Sequence, residues 1–119
     1  MIRIMIVEDR NSISEIMRDI LLSNDYKVIG PAETGQEAIE MYLEFKPDLV
    51  LMDILLPDMS GIEATKGIIK KEPDAKIIAI TALPREGIME DCIKAGCRGF
   101  IVKPFRVTEL IGQIEEVMR

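Results

Sequence analysis

The sequence predicts a doubly wound α/β fold, a five-stranded parallel sheet with helices on both faces. Three observations carry that expectation. Five short apolar runs recur along the chain, at residues 4–7, 28–29, 49–52, 77–80 and 100–102. Helical periodicity fills the stretches between them, and the links are short. Strand–helix alternation of this kind means parallel strands joined by right-handed crossovers.

Taken in order, the first, third, fourth and fifth runs are near-continuous in Ile, Val and Leu, as strands covered on both faces should be. The second, Lys27-Val28-Ile29-Gly30-Pro31, reads as a shorter edge strand that ends at its proline. Ile13, Ile16, Met17, Ile20 and Leu21 form the first helical stripe, and Ala38, Ile39, Tyr42 and Leu43 the second. Ile62, Thr65, Ile68 and Ile69 form the third, and Leu110, Ile111, Ile114, Val117 and Met118 the last. Ser12…Glu15, Thr34…Glu37 and Ser60…Glu63 have the spacing of capping boxes. Pro84 suits the first turn of a fourth helix that Gly96 ends. Pro47 and Pro73 fall in the links that lead into the third and fourth strands. Arg106-Val107-Thr108 opens the last helix without an ideal cap.

Composition narrows the chemistry. The chain has 119 residues, 48% of them hydrophobic, enough for one domain with a core that needs neither disulfide nor structural metal. The formal net charge is −6 and histidine is absent. An acidic chain without a basic stripe is repelled by phosphate backbones, so no direct nucleic-acid binding is expected. No imidazole is available for zinc, for acid–base work near neutral pH or for carrying phosphate. No apolar run approaches the ~18 residues that span a bilayer, and the start lacks a signal-peptide cleavage site. A cytoplasmic protein without membrane insertion is expected. Cys92 and Cys97 have neither a CxxC nor a metal-ligand spacing and read as reduced structural thiols, Cys97 as core filler and Cys92 on a helix face.

The polar residues at the ends of the apolar runs are more informative. The first run ends in Glu8-Asp9, the third in Asp53, the fourth in Thr81 and the fifth in Lys103-Pro104. In an open parallel sheet, ligands bind beyond the carboxyl ends of the strands. Each residue alone has an ordinary explanation: a capped turn, a solvated lysine, a helix-dipole partner. Together they make a cluster. Three carboxylates within a few Å repel by roughly 4 kcal/mol per close pair at an effective dielectric near 20. Such a pocket binds a proton or a cation. With oxygen ligands alone the cation is hard, Mg²⁺ or Mn²⁺. Metal-bound carboxylates beside a lysine and a hydroxyl suit phosphoryl transfer, which rests on positioning and charge neutralisation.

Glu8-Asp9, Asp53-Ile54-Leu55-Leu56-Pro57 with Gly61, Thr81-Ala82 and Lys103-Pro104-Phe105 resemble the response-regulator receiver domain of two-component signalling, the CheY-like superfamily. The resemblance spans the chain as one receiver domain, residues 1–119. It implies a flavodoxin-like (βα)5 fold with strand order 2-1-3-4-5. It further implies that Asp53 is the phosphoacceptor, attacking the phosphohistidine of a sensor histidine kinase or phosphotransfer protein. Asp9, Asp53 and the main-chain carbonyl of Leu55 would hold Mg²⁺, with Mn²⁺ able to substitute, and Glu8 would act through a bound water. Lys103 and Thr81 would meet the phosphoryl oxygens. Phe100 stands at the family's switch aromatic position. The Lys103-Pro104 bond matches one that is usually cis in the family.

On this reading the protein is not a classical enzyme but a signalling switch that catalyses only its own phosphorylation and dephosphorylation. It would signal to a protein target through the face of its fourth helix, fifth strand and fifth helix, as a monomer or a phosphorylation-dependent dimer. Leu83, Ile88 and Met89 read in two ways, as apolar surface exposed near the fourth helix or, for Ile88 and Met89, as ordinary helix packing, with Gly112 facing solvent on the fifth helix. Leu55 and Leu83 would shield the acyl phosphate and slow its hydrolysis. The start at Met1 and the end at Arg119 favour a stand-alone regulator over a receiver cut from a longer transcription factor or hybrid kinase. A never-phosphorylated pseudo-receiver is the alternative. A flavin-binding relative would need a hydroxyl- and glycine-rich loop where Glu8-Asp9 stand, and a haloacid-type phosphatase a second Asp where Leu55 stands.

Overall fold

The structure, a computed structural model, describes residues 1–82 and 85–119. Five strands and five helices alternate: β1 (Arg3–Val7), α1 (Asn11–Ser23), β2 (Lys27–Ala32), α2 (Gly35–Phe45), β3 (Leu49–Asp53), α3 (Gly61–Lys71), β4 (Ile77–Thr81), α4 (Ile88–Ala95), β5 (Gly99–Val102) and α5 (Val107–Met118). All strand pairs are parallel, in the order β2-β1-β3-β4-β5 that the resemblance implies.

The apolar runs are continuous because each strand feeds two cores. Met5, Val7, Val50, Met52, Ile77 and Ala79 face one side, where Ala38 and Tyr42 of α2, Ala64 and Ile68 of α3, and Ile88 and Cys92 of α4 cover them. Ile4, Ile6, Leu49, Leu51, Ile78 and Ile80 face the other, under Met17 and Leu21 of α1 and Leu110 and Ile114 of α5. Each large apolar side chain buried in these layers contributes roughly 1.5–3 kcal/mol. That clamps three central strands whose carboxyl ends form a common rim. No helix among the described residues is long and apolar enough to cross a membrane.

Two local expectations need correction. β2 does not end at Pro31 and is not short; it runs six residues, to Ala32. Gly30 takes a positive φ of 96° and the Gly30–Pro31 bond is cis, while the β1–β2 register shifts between Met5 and Val7. A Cβ on Gly30 would lie 2.9 Å from the Ile6 carbonyl oxygen, so only glycine fits this approach. Beyond the irregularity the Glu8 N–H donates to the Ala32 carbonyl at 2.9 Å, which ties the end of the edge strand to the rim.

Ser12 caps nothing. α1 starts at Asn11 behind Arg10, two residues earlier than that cap would place it, and the Arg10 N–H donates to Glu8 Oε2 at 3.2 Å. The other two caps are present: Thr34 Oγ1 accepts from the Glu37 N–H at 3.0 Å, and Ser60 Oγ from the Glu63 N–H at 3.2 Å. For α5, the Glu109 carboxylate reaches back to the Arg106 N–H at 3.2 Å and supplies the cap its side chain cannot. α4 begins at Ile88 behind Gly87 and stops at Gly96, both at positive φ; Pro84 lies outside the described residues.

Of the two readings for Ile88, packing holds: it is buried against the α3 side of the sheet. Cys92 and Cys97 are free and buried, with Cys97 Sγ 3.8 Å from Thr65 Oγ1. Burial pushes the Cys97 thiol from 9.0 up to about 12, and also raises Tyr26 and Tyr42. A raised folded-state value means the unfolded chain ionises first. The stability these groups contribute is therefore whole below pH 9 and declines as pH climbs toward 12. Urea unfolding is expected to show falling stability above pH 9, with a shallower decline in Cys97→Ala.

Candidate functional site

Parallel strands and their ladder bring five predicted residues to one rim. Glu8 and Asp9 follow β1, Asp53 ends β3, Thr81 ends β4 and Lys103 follows β5. Ladder bonds continue past the strand ends. The Ile54 N–H donates to the Ile80 carbonyl at 3.0 Å, and the Lys103 N–H to the Thr81 carbonyl at 2.8 Å. The side chains are thus launched from a backbone with no slack.

Glu8, Asp53 and Thr81 are buried, whereas Asp9 is open to solvent. Lys103 Nζ donates to Glu8 Oε1 at 2.8 Å and to Asp53 Oδ2 at 3.2 Å. Asp53 Oδ1 accepts from the Leu55 N–H at 3.0 Å. One carboxylate oxygen from each of Glu8, Asp9 and Asp53 lies within 4.8 Å of the others. Burial raises the Glu8 carboxyl, and the neighbouring Asp53 raises it further against the pull of Lys103. Burial alone would lower Lys103, but Glu8 and Asp53 together outweigh it and hold the ammonium above its usual value. The lysine therefore stays charged at neutral pH. Oxygen donors in this density, one of them open to water, fit a hard divalent cation such as Mg²⁺.

The loop after β3 is held from both sides. Gly61 donates its N–H to the Ile54 carbonyl at 2.7 Å, and a Cβ there would lie 2.1 Å from the Asp53 carbonyl oxygen. Leu55 and Ser60 bridge across the loop. Asp58 accepts from the Gly35 and Gln36 N–H groups at 2.8 and 3.0 Å, tying the loop to the start of α2. Those bonds hold its carboxyl below the usual range.

Sequence reasoning missed Asp58. The only cue was its place after Pro57, since its partners lie more than twenty residues away. It also missed Arg10 and Arg85, which line the same cleft of about 720 Å³ as Asp9, Asp53, Thr81 and Lys103.

Further from the rim, Phe100 is half-buried on β5 and packs against the core layer of α4. The Lys103–Pro104 bond is cis. Met89 and Ile93 are exposed one turn apart on α4, Val102 is exposed on β5, and Gly112 faces open space on α5. Leu55 is exposed beside the cleft; Leu83 lies outside the described residues.

Removing the Lys103 ammonium leaves two buried carboxylates without their counter-charge. Lys103→Met is expected to cost about 3 kcal/mol in chemical denaturation. Adding Glu8→Gln to that variant should restore part of the loss, since one of the stranded charges is gone.

Residues 4–115 match the family described as the response regulator receiver domain. Chemotaxis protein CheY of Thermotoga maritima is 41% identical over 117 residues, 98% of either chain. CheY of Bacillus subtilis is 40% identical over 116 residues, covering 98% of this chain and 97% of that one. Among solved structures, the CheX–CheY–BeF3–Mg complex from Borrelia burgdorferi contains a chain that superposes with a TM-score of 0.95 at 29% identity. That alignment covers 99% of this chain and 90% of the other. With the strand order, the family match over residues 4–115 and these near full-length alignments in agreement, the chain belongs to the receiver domains of response regulators and is CheY-like.

Proposed function

We propose that this protein accepts a phosphoryl group on Asp53 from the phosphohistidine of a histidine kinase or phosphotransfer protein, in a Mg²⁺-dependent reaction. The observation that carries this reading is Asp53 itself. It is a buried carboxylate at the end of a central strand, held by Lys103 at 3.2 Å and opening onto a cleft beside two further carboxylates.

Asp53 attacks phosphorus and becomes an acyl phosphate. Asp9, Asp53 and the Leu55 main-chain carbonyl would hold the cation, for which Mn²⁺ would substitute. Both Glu8 oxygens are already engaged, by Lys103 and by the Arg10 N–H, which favours a role through water. Bound Mg²⁺ would neutralise charge on the carboxylates and on the phosphoryl oxygens. Lys103 exchanges a carboxylate for a phosphoryl oxygen, and the Thr81 hydroxyl donates to another. That displacement draws the loop after β4 inward, gives Phe100 room to turn, and remodels the α4–β5–α5 face. Met89, Ile93 and Val102 already present apolar surface there for a protein target. The matched Borrelia burgdorferi chain was solved with BeF3, Mg and a CheX partner, which supports both the cation and a protein partner for this chain.

Incubation with acetyl phosphate and Mg²⁺ is expected to add one phosphoryl group by intact mass. Asp53→Asn protein and chelated samples should show none; an adduct that persists in both would overturn the assignment. Mg²⁺ is expected to raise Tm in a concentration-dependent way, and Asp9→Asn to weaken that response while raising Tm without cation. With an apolar Leu55 beside the cleft, the adduct should outlast seconds in the absence of a phosphatase.

A further inference from the structure

Charge around the cleft is unevenly assigned. Glu8, Asp9 and Asp53 carry three negative charges and Lys103 one positive, which leaves two negative charges for a divalent cation to cancel. A site brought to neutrality in this way offers no net attraction to a donor that is itself a dianion. Two arginines line the same cleft, and among the described residues their side chains make no hydrogen bond or ion pair with those carboxylates. Arg10 follows the β1 carboxylates, and its side chain makes no ion pair or hydrogen bond among the described residues. Arg85 stands across the cleft beyond β4, where Asp91 Oδ2 holds one of its terminal nitrogens at 3.1 Å and the Glu86 carbonyl the other at 3.2 Å. One arginine is therefore uncommitted and the other is braced, and both border the space above Asp53.

We propose that Arg10 and Arg85 form an anion-holding rim that selects small-molecule phosphodonors by charge, favouring dianionic acyl phosphates. This rests on Asp53 being the phosphoacceptor. In the step they serve, an Asp53 carboxylate oxygen forms the new bond to phosphorus. The bond from phosphorus to the acyl oxygen breaks, its electron pair leaves with the departing carboxylate, and no proton is required. The guanidiniums attract the charged phosphoryl oxygens of the incoming donor, and the leaving carboxylate as its charge develops. They are specificity-determining residues, and Mg²⁺ binding does not depend on them.

The test compares Arg10→Ala, Arg85→Ala and the double variant with wild type. Two donors are used: acetyl phosphate, a dianion at neutral pH, and phosphoramidate, which carries less negative charge. The expected result is a two- to fivefold loss of the acetyl phosphate rate in each single variant and about tenfold in the double. The phosphoramidate rate should change far less, and the effect should shrink in high salt. Arg→Lys at either position should recover part of the loss. A second readout does not depend on transfer. In Asp53→Asn protein with Mg²⁺, acetonylphosphonate, the unreactive analogue of acetyl phosphate, should raise Tm, and the arginine variants should blunt that rise without changing the shift caused by Mg²⁺ alone. Equal losses for both donors, or no loss in the double variant, would overturn the proposal. Absence of an adduct in wild type would instead overturn the phosphoacceptor reading beneath it.

Discussion

Negative charge gathered at the ends of two neighbouring strands is the constraint around which this structure is arranged. Glu8 and Asp53 are buried, and with Asp9 their oxygens crowd within 4.8 Å. At that separation the repulsion is tolerable only while a cation lies among them. Lys103 is that cation. It is delivered by β5, which β4 separates from β3, and so its side chain must reach past a whole strand. The long aliphatic stem of lysine makes that reach possible while the ammonium contacts both carboxylates. The same arrangement keeps the pocket poised: the lysine balances one charge, and the remainder suits a hard divalent ion.

Such a rim holds its shape because everything beneath it is fixed. Two apolar layers clamp β1, β3 and β4 from opposite faces, and ladder hydrogen bonds run on past the strand ends. Backbone crowding does the rest. Gly61 lets the α3 start sit against the Asp53 carbonyl, and Asp58 fastens the intervening loop to α2. The Asp53 carboxylate is thereby aimed by main-chain geometry, while Thr81 and Phe100, the residues proposed to move, belong to the strands on one side of it. The proposed switch would thus keep what must stay rigid apart from what must respond.

The sheet, its helices and the rim of Glu8, Asp9, Asp53, Thr81 and Lys103 are legible in the sequence because each rests on a local pattern. Strand runs, helical stripes and the polar residue that ends each run are all visible within a few positions. The continuation of β2 is not, because it depends on a positive φ at Gly30 and a cis bond to Pro31 that composition does not announce. Ser12 has the right spacing for a cap, yet Glu8 captures the Arg10 N–H first and moves the helix start. Ile88 stays open between surface and core because nothing local says which side of a short helix meets the sheet. Arg10, Arg85 and Asp58 are hidden for a related reason: exposed polar residues follow no period, and these acquire meaning only when distant segments meet.

The Lys103–Glu8 contact joins residues 95 positions apart, and Lys103–Asp53 joins residues 50 apart. Synthesis delivers the carboxylates early and their lysine late. A nascent chain that has emerged only as far as β4 holds the acidic rim without its counter-ion, so the strands that carry it repel at the end where they should meet. Pairing of β5 on β4 relieves that repulsion and finishes the pocket in one event. High-separation contacts of this kind slow folding. The pocket is complete only once β5 has paired with β4, so a chain without that pairing holds its carboxylates with no lysine between them.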